Sequence, residues 1–157
     1  MVRRARDPRF AEVVRESFSR QTFMTRLGAV IARVAPGEVA IELPSAPDLL
    51  QQNGFVHAGA ITSIADSACG YAAFSLAPPD HDVLAVEFKI SLLAPARAPR
   101  FRAEARVLRA GRTLSTAQAE VFGLDGERRE LVAVMLSTLI VRPIPGAPSR
   151  PDLVTAG

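Results

Sequence analysis

A single carboxylate stands out in the middle of an apolar segment. Residues 57–77 are small and apolar on almost every side, which predicts a helix of about five turns that is buried all round. Asp66 lies near its middle, although aspartate is a poor helix former and its charge is costly to bury without a partner. This position favours a functional carboxylate over a structural one that pairs with an arginine or with neighbouring donors.

The start of the same helix offers complementary chemistry. The first N–H groups of a helix lack partners within it and lie at the positive end of its dipole, so they stabilise negative charge on a carbonyl oxygen under attack. Ala58 supplies such an N–H, and Gly59 lets a substrate approach the backbone closely. Asp66 lies eight residues further on, about 12 Å along a helix. One chain therefore cannot easily supply both groups to one carbonyl, whereas a second, antiparallel copy of the helix can.

Length and composition exclude several classes of protein. The 157 residues predict one domain over residues 1–143 and a proline-rich, mobile tail over residues 144–157. A hydrophobic content of 48% excludes a disordered protein, and scattered basic residues with no tryptophan disfavour a nucleic-acid partner. The polar groups of the central helix disfavour a membrane span. The single cysteine and the lack of an apolar run after the basic start predict a cytoplasmic protein without a signal peptide.

The remaining periodicities predict an α+β fold. Apolar residues spaced from Phe10 to Phe18 predict an amphipathic helix over residues 8–20, followed by a short connection through Phe23 and Met24. Residues 48–56 predict a loop or a single turn before the central helix. Antiparallel strands joined by short turns around one helix predict a curled sheet wrapped on that helix. The predicted strands cover residues 27–34, 38–43, 84–92, 101–107, 113–122 and 131–141.

Four motifs occur in order between residue 50 and about residue 141. They are Gln52–Gly59, Ile64–Ala68, Val86–Ala96 and Arg109–Leu114. Each motif alone is weak, but their order and spacing together are specific. The set resembles the signature of hotdog-fold thioesterases, in the branch of the phenylacetyl-CoA thioesterase PaaI.

The resemblance implies a sheet wrapped around the central helix and paired with the sheet of a second subunit, in a homodimer or a dimer of dimers. An acyl-CoA or a related thioester binds at the subunit interface, without a cofactor or a metal ion. Asp66 corresponds to the general base or nucleophile, and it faces an oxyanion hole formed by the Ala58 N–H of the other subunit, with Gly59 beside it. The other implied site residues are His57 and Gln51 for catalysis and Asn53, Gly54, Tyr71, Phe88, Arg109 and Arg112 for substrate binding.

Three positions depart from the family pattern. Ala58 replaces the first glycine after the histidine, which keeps the backbone N–H but adds a methyl group near the thioester. Gln51 replaces the usual asparagine, and Asn53 is an alternative for that role. Ala85 stands where some relatives carry a serine or threonine that holds the attacking water.

Several candidates also have a structural interpretation. We expect His57 to position the helix start rather than to transfer a proton, and Cys69 to be a small buried apolar residue. Tyr71 and Phe88 are core residues or line an acyl pocket, while Arg109 and Arg112 are exposed arginines or contacts to the CoA phosphates. His81 and Asp82 have no second cluster of histidine or cysteine, so we expect no metal site.

Two functions of different classes remain. The first is a thioesterase for medium-chain or aromatic acyl-CoA, because phenylalanine and leucine suit such acyl groups. The second is a catalytically slow acyl-CoA-binding module on the same fold that senses or buffers its ligand. A dehydratase is disfavoured because the central helix region lacks the required histidine and aspartate pair.

Overall fold

The computed structural model describes residues 4–146. Within these residues it has three α-helices, one short 3-10 helix and six strands. Most of the tail predicted over residues 144–157 lies outside the described residues. The helices are α1 (Phe10–Ser19), α2 (Thr22–Leu27) and α3 (Ala58–Phe74), the 3-10 helix is Pro47–Leu49, and the strands are β1 (Val30–Ala35), β2 (Glu38–Pro44), β3 (His81–Leu92), β4 (Arg100–Ala110), β5 (Leu114–Asp125) and β6 (Arg128–Pro143).

All six described strands form one antiparallel sheet in the order β1-β2-β4-β5-β6-β3. Helix α3 packs across this sheet and contacts β2 through β6. The α+β hotdog architecture expected from the sequence is therefore confirmed. The long α3 is held by the middle of the sheet, so both ends of the helix are fixed relative to the strands.

The core between α3 and the sheet is built from small residues. Ala103 and Ala105 on β4 and Ala117 and Ala119 on β5 all point inward and are buried. Alanine side chains let a helix approach a sheet closely, and such close packing leaves few voids. Larger buried side chains fill the remaining space: Ile41, Leu43, Ile61, Ile64, Phe101, Val107, Val121, Met135 and Leu139.

The connection through Phe23 and Met24 is a helix, α2, so that prediction was wrong. Six residues are too few to show a helical period, and the fold stabilises α2 by burying Met24. Gly28 ends α2 with a φ of 75°, in the left-handed region that glycine adopts without strain. The first strand consequently begins at Val30 rather than at residue 27.

Helix α3 is not buried all round in one chain, contrary to the sequence prediction. Ser63, Asp66, Ser67 and Gly70 form a stripe that the described residues cover only partly. These residues recur every three or four positions, so they share one face of the helix. The apolar composition of the segment did not predict this partly exposed face, because the residues on it are small. We name Ser63, Asp66, Ser67 and Gly70 the open stripe.

Strand β3 is an edge of the sheet and is open to solvent on both faces. It pairs with β6 along one side, and no other described strand pairs with it. Val86 is 59% exposed and Phe88 is 45% exposed. A long apolar edge strand is prone to pair with another chain unless something covers it.

Candidate active site

The start of α3 is capped by a side chain. His57 is the N-cap residue, and its Nδ1 accepts a 2.8 Å hydrogen bond from the N–H of Gly59. The N–H of Ala60 donates to the carbonyl of His57 at 3.0 Å. Among the described residues no acceptor takes the N–H of Ala58, so this donor is left for a ligand.

Hydrogen bonds of the loop before α3, most of them between backbone groups, hold the start of α3 in place. The N–H of Gln51 donates to the carbonyl of Phe55 at 2.8 Å, and the side-chain oxygen of Gln51 accepts the N–H of Asn53. Gly54 has a φ of 80°, which closes the turn. The N–H of His57 donates to the carbonyl of Leu49 at 2.8 Å. Asn53 and Gly54 therefore shape the loop, although neither lines the cavity that opens at this helix start.

A cavity of about 570 Å³ opens at this helix start. Gln51, Phe55, His57 and Ala58 line one side of it, and Leu92–Ala96 line the other. We name it the oxyanion cavity, because the unpaired N–H belongs to one of its lining residues. Arg97 stacks on the ring of Phe55, with its guanidinium carbon 4.8 Å from the ring centre, so a cation lies close to this cavity. Sequence reasoning missed Arg97 because nothing in its spacing links it to Phe55.

Asp66 is half-buried and has no pairing partner among the described residues. Its Oδ1 is buried without a hydrogen bond, and no described arginine or lysine forms an ion pair with it. Burial raises the pKa of Asp66 above the ordinary value of 3.8. A structural carboxylate would be paired, so this arrangement favours the functional interpretation.

Asp66 lies in a second cavity, of about 380 Å³. Gly70 and Tyr71 of α3 line it together with Ala85 at a β-bulge of β3. A side chain added at Gly70 would meet no atom within 4 Å, so space is open along the helix from Asp66 to Tyr71. We name it the Asp66 cavity. Its other lining residues are Ser17, Arg20, Gln21, Ser67, Phe74, Asp82, Val83, Leu84 and Leu139.

The two cavities share no lining residue. Ala58 and Asp66 are eight residues apart on the same helix, which separates their backbones by about 12 Å. A single chain thus has both chemical groups but does not bring them to one place.

Two further candidates lie outside these cavities. Cys69 is fully buried, and burial together with the negative charge of Asp66 raises the pKa of its thiol to about 12. Its thiolate is therefore scarce at neutral pH, and Cys69 is a packing residue as expected. Phe88 lines neither cavity, because it lies on the open face of β3.

Arg109 and Arg112 line a third cavity, of about 380 Å³, near the end of the β4–β5 hairpin. Arg4 and Arg6 of the N-terminal segment line the same cavity, and no acidic residue is among its lining residues. We name these four residues the arginine cluster. Gly111 makes the turn possible, since a Cβ there would lie 2.4 Å from the carbonyl oxygen of Leu114. The sequence gives no signal that the N-terminal arginines join this turn.

Metal ligation and membrane insertion have no candidate in the part of the chain that the structure describes. No group of three or more histidine, cysteine, aspartate or glutamate side chains lies close enough together to hold a metal ion. Among residues 4–146, no helix has the length and apolar character needed to cross a membrane.

Comparison with known proteins identifies the family. The model of the thioesterase superfamily matches residues 53–130. A thioesterase family protein from Silicibacter pomeroyi is 43% identical, with a TM-score of 0.84 over 85% of this chain and 98% of that chain. The chain belongs to the thioesterase superfamily. The class of its activity is accordingly thioester hydrolysis, and the match includes His57, Ala58 and Asp66.

Three more distant proteins share part of this sequence or its fold. A conserved protein from Pseudomonas aeruginosa is 29% identical, with a TM-score of 0.71 over 78% of this chain and 94% of that one. A Saccharolobus solfataricus protein named as an esterase is 29% identical over 101 residues, which cover 64% of this chain and 71% of that one. The E. coli PaaI protein is 19% identical, with a TM-score of 0.77 over 87% of this chain and 95% of that one, which shows a shared fold.

Proposed function

We propose that the protein is an acyl-CoA thioesterase that works as a homodimer with two sites at the interface between subunits. One subunit supplies the Ala58 N–H of its oxyanion cavity, and the other supplies Asp66. The observation that carries this proposal is the separation of an unpaired helix N–H and an unpaired carboxylate into two cavities of one chain. An antiparallel pair of α3 helices, facing each other through the open stripe, removes that separation.

The edge strand supports this dimer. Pairing β3 with the β3 of a second copy covers the exposed Leu84, Val86 and Phe88 and satisfies the free edge of the sheet. A two-fold axis through that pair makes the strands antiparallel and also makes the α3 helices antiparallel. The same symmetry therefore buries the apolar edge and completes the sites.

The geometry supports a simple hydrolytic sequence. Asp66 acts either as a general base, taking a proton from water as the water oxygen bonds to the thioester carbon, or as a nucleophile whose carboxylate forms that bond itself. In both cases the carbonyl electron pair moves to oxygen, where the Ala58 N–H stabilises it. Reformation of the carbonyl breaks the carbon–sulfur bond and releases CoA as a thiolate, which takes the proton held by Asp66 in the general-base route or a proton from water in the nucleophilic route. In the nucleophilic route, water then hydrolyses the resulting anhydride.

The substrate class follows from the cavity walls. Tyr71, Phe74, Leu84 and Leu139 give the Asp66 cavity aromatic and aliphatic surface, which suits a medium-chain or aromatic acyl group. The arginine cluster suits the phosphates of CoA, since guanidinium groups bind phosphate with two parallel hydrogen bonds. No cofactor enters this reaction.

Complementation between two inactive variants tests the shared site. Ala58→Pro removes the N–H while keeping the helix, because proline is well tolerated at the first helical position and His57 already has extended backbone, with a φ of −58° and a ψ of 136°. Asp66→Asn removes the carboxylate. Each variant alone should release thiol from acyl-CoA at least 100-fold more slowly than the wild type.

Unfolding and refolding the two variants together forms mixed dimers. Each mixed dimer has one site with both native groups, so random pairing should restore about a quarter of wild-type activity. Restoration that stays at the level of the separate variants, with folded mixed dimers present, would contradict a site shared between subunits.

A slow acyl-CoA-binding module is the second candidate, and Ala85 favours it. This residue lines the Asp66 cavity but offers no hydroxyl to hold an attacking water. Acetyl-, hexanoyl-, lauroyl-, phenylacetyl- and benzoyl-CoA separate the two candidates. Thermal stabilisation by a member of this panel without release of thiol supports the binding module, whereas rapid release eliminates it.

A further inference from the structure

The side of the Asp66 cavity where Ser17 and Gln21 meet Tyr71 is polar, and we name it the polar end. The side-chain amide of Gln21 donates to the hydroxyl of Tyr71 at 3.1 Å, and the hydroxyls of Ser17 and Tyr71 are 3.3 Å apart. All three residues line the cavity. The side-chain oxygen of Gln21 accepts no hydrogen bond from any described residue. A purely aliphatic acyl group would end against these polar atoms without pairing them.

We propose that this polar end selects an acyl group that carries a neutral hydroxyl, which hydrogen-bonds to Gln21 and Tyr71. This inference rests on the proposed hydrolysis of acyl-CoA and narrows its substrate class. A hydroxyl donates to the free oxygen of Gln21 and accepts from a neighbouring donor, so it pairs both kinds of group.

The charges around the cavity favour a hydroxyl over a carboxylate. Asp66 and Asp82 both line it, and the facing cation is Arg20, which also approaches Glu16 at 4.0 Å. The oxygen Oδ1 of Asp82 already accepts the N–H of Val83 at 2.8 Å. An acyl group that carries a carboxylate would be repelled by Asp66 and Asp82, and Arg20, which Glu16 also approaches, is the cation that faces it. A neutral hydroxyl avoids that repulsion.

The selecting residues lie outside the matched family segment. Ser17 and Gln21 belong to α1 and to its connection to α2, whereas the family match begins at residue 53. Tyr71 is within the match, and the N-terminal helices reach it across more than 50 positions of sequence. The polar end therefore combines residues from inside and outside the segment that the family model matches.

The rise of α3 gives a length scale for the acyl group. The backbones of Asp66 and Tyr71 are five residues apart, about 7.5 Å along α3. An extended carbon chain advances roughly 1.2 Å per bond, so a hydroxyl about six bonds from the thioester carbon spans a similar distance. The acyl group of 6-hydroxyhexanoyl-CoA meets that condition, hexanoyl-CoA lacks the hydroxyl, and adipoyl-CoA replaces it with a carboxylate.

Thiol release from these three esters tests the inference. One additional hydrogen bond predicts a kcat/KM for 6-hydroxyhexanoyl-CoA about tenfold above that for hexanoyl-CoA, with adipoyl-CoA the poorest. Gln21→Leu keeps the side-chain volume and should bring the ratio of kcat/KM for 6-hydroxyhexanoyl-CoA to that for hexanoyl-CoA close to one. Gln118→Leu is the matched control, because Gln118 lies on β5 and lines neither cavity of the proposed site, so it should keep the wild-type ratio.

Binding of the same esters to Asp66→Asn separates this inference from the proposed hydrolysis. Preferential binding of 6-hydroxyhexanoyl-CoA without turnover by the wild type would support the polar end and contradict the thioesterase. Turnover with equal kcat/KM for the two esters, or a ratio unaltered by Gln21→Leu, would overturn the inference and leave the thioesterase standing. Absence of both binding and turnover would overturn both.

Discussion

The N–H of Gly59 donates to Nδ1 of His57, two residues earlier, across 2.8 Å. An imidazole that accepts at Nδ1 carries its proton on Nε2, so the ring in this state can also donate toward the oxyanion cavity that it lines. The bond satisfies one orphan N–H of α3 and leaves that of Ala58 unpaired. We therefore propose His57 as a positioning residue for the proposed oxyanion donor.

Gly59→Ala should disturb this cap. A Cβ at Gly59 would lie 3.0 Å from Nδ1 of His57, so the ring must move and its hydrogen bond must weaken. We expect the lost cap to make this variant about 1 kcal/mol less stable than Gly70→Ala, which shares its gain in helix propensity, and kcat to fall at least tenfold. Urea denaturation and thiol release measure the two effects.

Gly70→Ala on the same helix is the matched control for stability. Within one chain a Cβ at Gly70 meets no atom within 4 Å, and alanine is a better helix former by up to about 1 kcal/mol. Gly70 belongs to the open stripe, so both glycine variants are compared in the monomeric Val86→Lys background, where no partner helix faces it. There Gly70→Ala should be more stable than its parent. Equal stability losses in the two glycine variants would show that His57 is not the cause.

Asp66→Asn should stabilise the protein at neutral pH while it abolishes turnover. Burial raises the pKa of Asp66 in the folded state, so the protonated form is favoured there. The penalty for the charged form is absent below the ordinary pKa of 3.8 and grows as pH rises through the raised folded pKa. The gain in melting temperature should increase between pH 3 and pH 7 at fixed protein concentration. Ser67→Ala, at the next position of the open stripe, should show no such pH dependence.

The rate of hydrolysis should fall on the acid side at a pH above 3.8. If Asp66 must be ionised to act as base or nucleophile, kcat/KM rises with pH through its raised pKa. A pH–rate profile with hexanoyl-CoA, corrected for loss of folded protein, measures this limb. A flat profile down to pH 3.8 would exclude Asp66 as the titrating group.

Val86→Lys should break the dimer and remove activity. Val86 lies on the open edge strand β3 and is 59% exposed, so a lysine there is harmless in one chain but repels its symmetry mate. Sedimentation should show monomers, with thiol release reduced at least 100-fold. Val30→Lys is the control, because Val30 is 55% exposed on β1, the opposite edge of the sheet. Loss of the dimer in both variants, or in neither, would argue against pairing through β3.

Ala85→Ser should raise kcat severalfold. Ala85 lines the Asp66 cavity beside the bulge of β3, where a hydroxyl could hold a water near the carboxylate. The gain should vanish when Asp66→Asn is added. Ala85→Val adds volume without a hydroxyl and should give no gain; an equal gain in both variants would point to packing rather than to a held water.

Local patterns predicted most of the fold. Alternation of apolar and polar residues predicted the strands over Phe101–Val107 and Leu84–Leu92. The segment of small residues after His57 predicted α3. All three segments are long enough to show their periods. Helix α2 was not predicted, because its six residues are too few to show a helical pattern. The burial of Met24 in the fold stabilises it instead. The exposure of the open stripe was not predicted, because it depends on which faces of α3 the sheet covers.

The sequence predicted only part of the candidate site. Asp66 stood out because a carboxylate within an apolar segment is unusual, and Ala58 because the first N–H groups of a helix lack partners within it. The polar contacts of Ser17 and Gln21 with Tyr71 join residues distant in sequence, and so does the cavity that Arg4 and Arg112 both line. Only tertiary structure creates such neighbours, so neither arrangement leaves a trace in spacing or composition.

The hydrogen bond between Ser17 and Tyr71 joins a segment before the family's matched region to the helix that carries the carboxylate. If Ser17 and Gln21 tune the polar end around Tyr71, substitutions in the first 27 residues change the acyl preference without altering Asp66 or Ala58. A recombination event near the 5′ end of the coding sequence would then exchange one substrate preference for another and leave the hydrolytic apparatus intact.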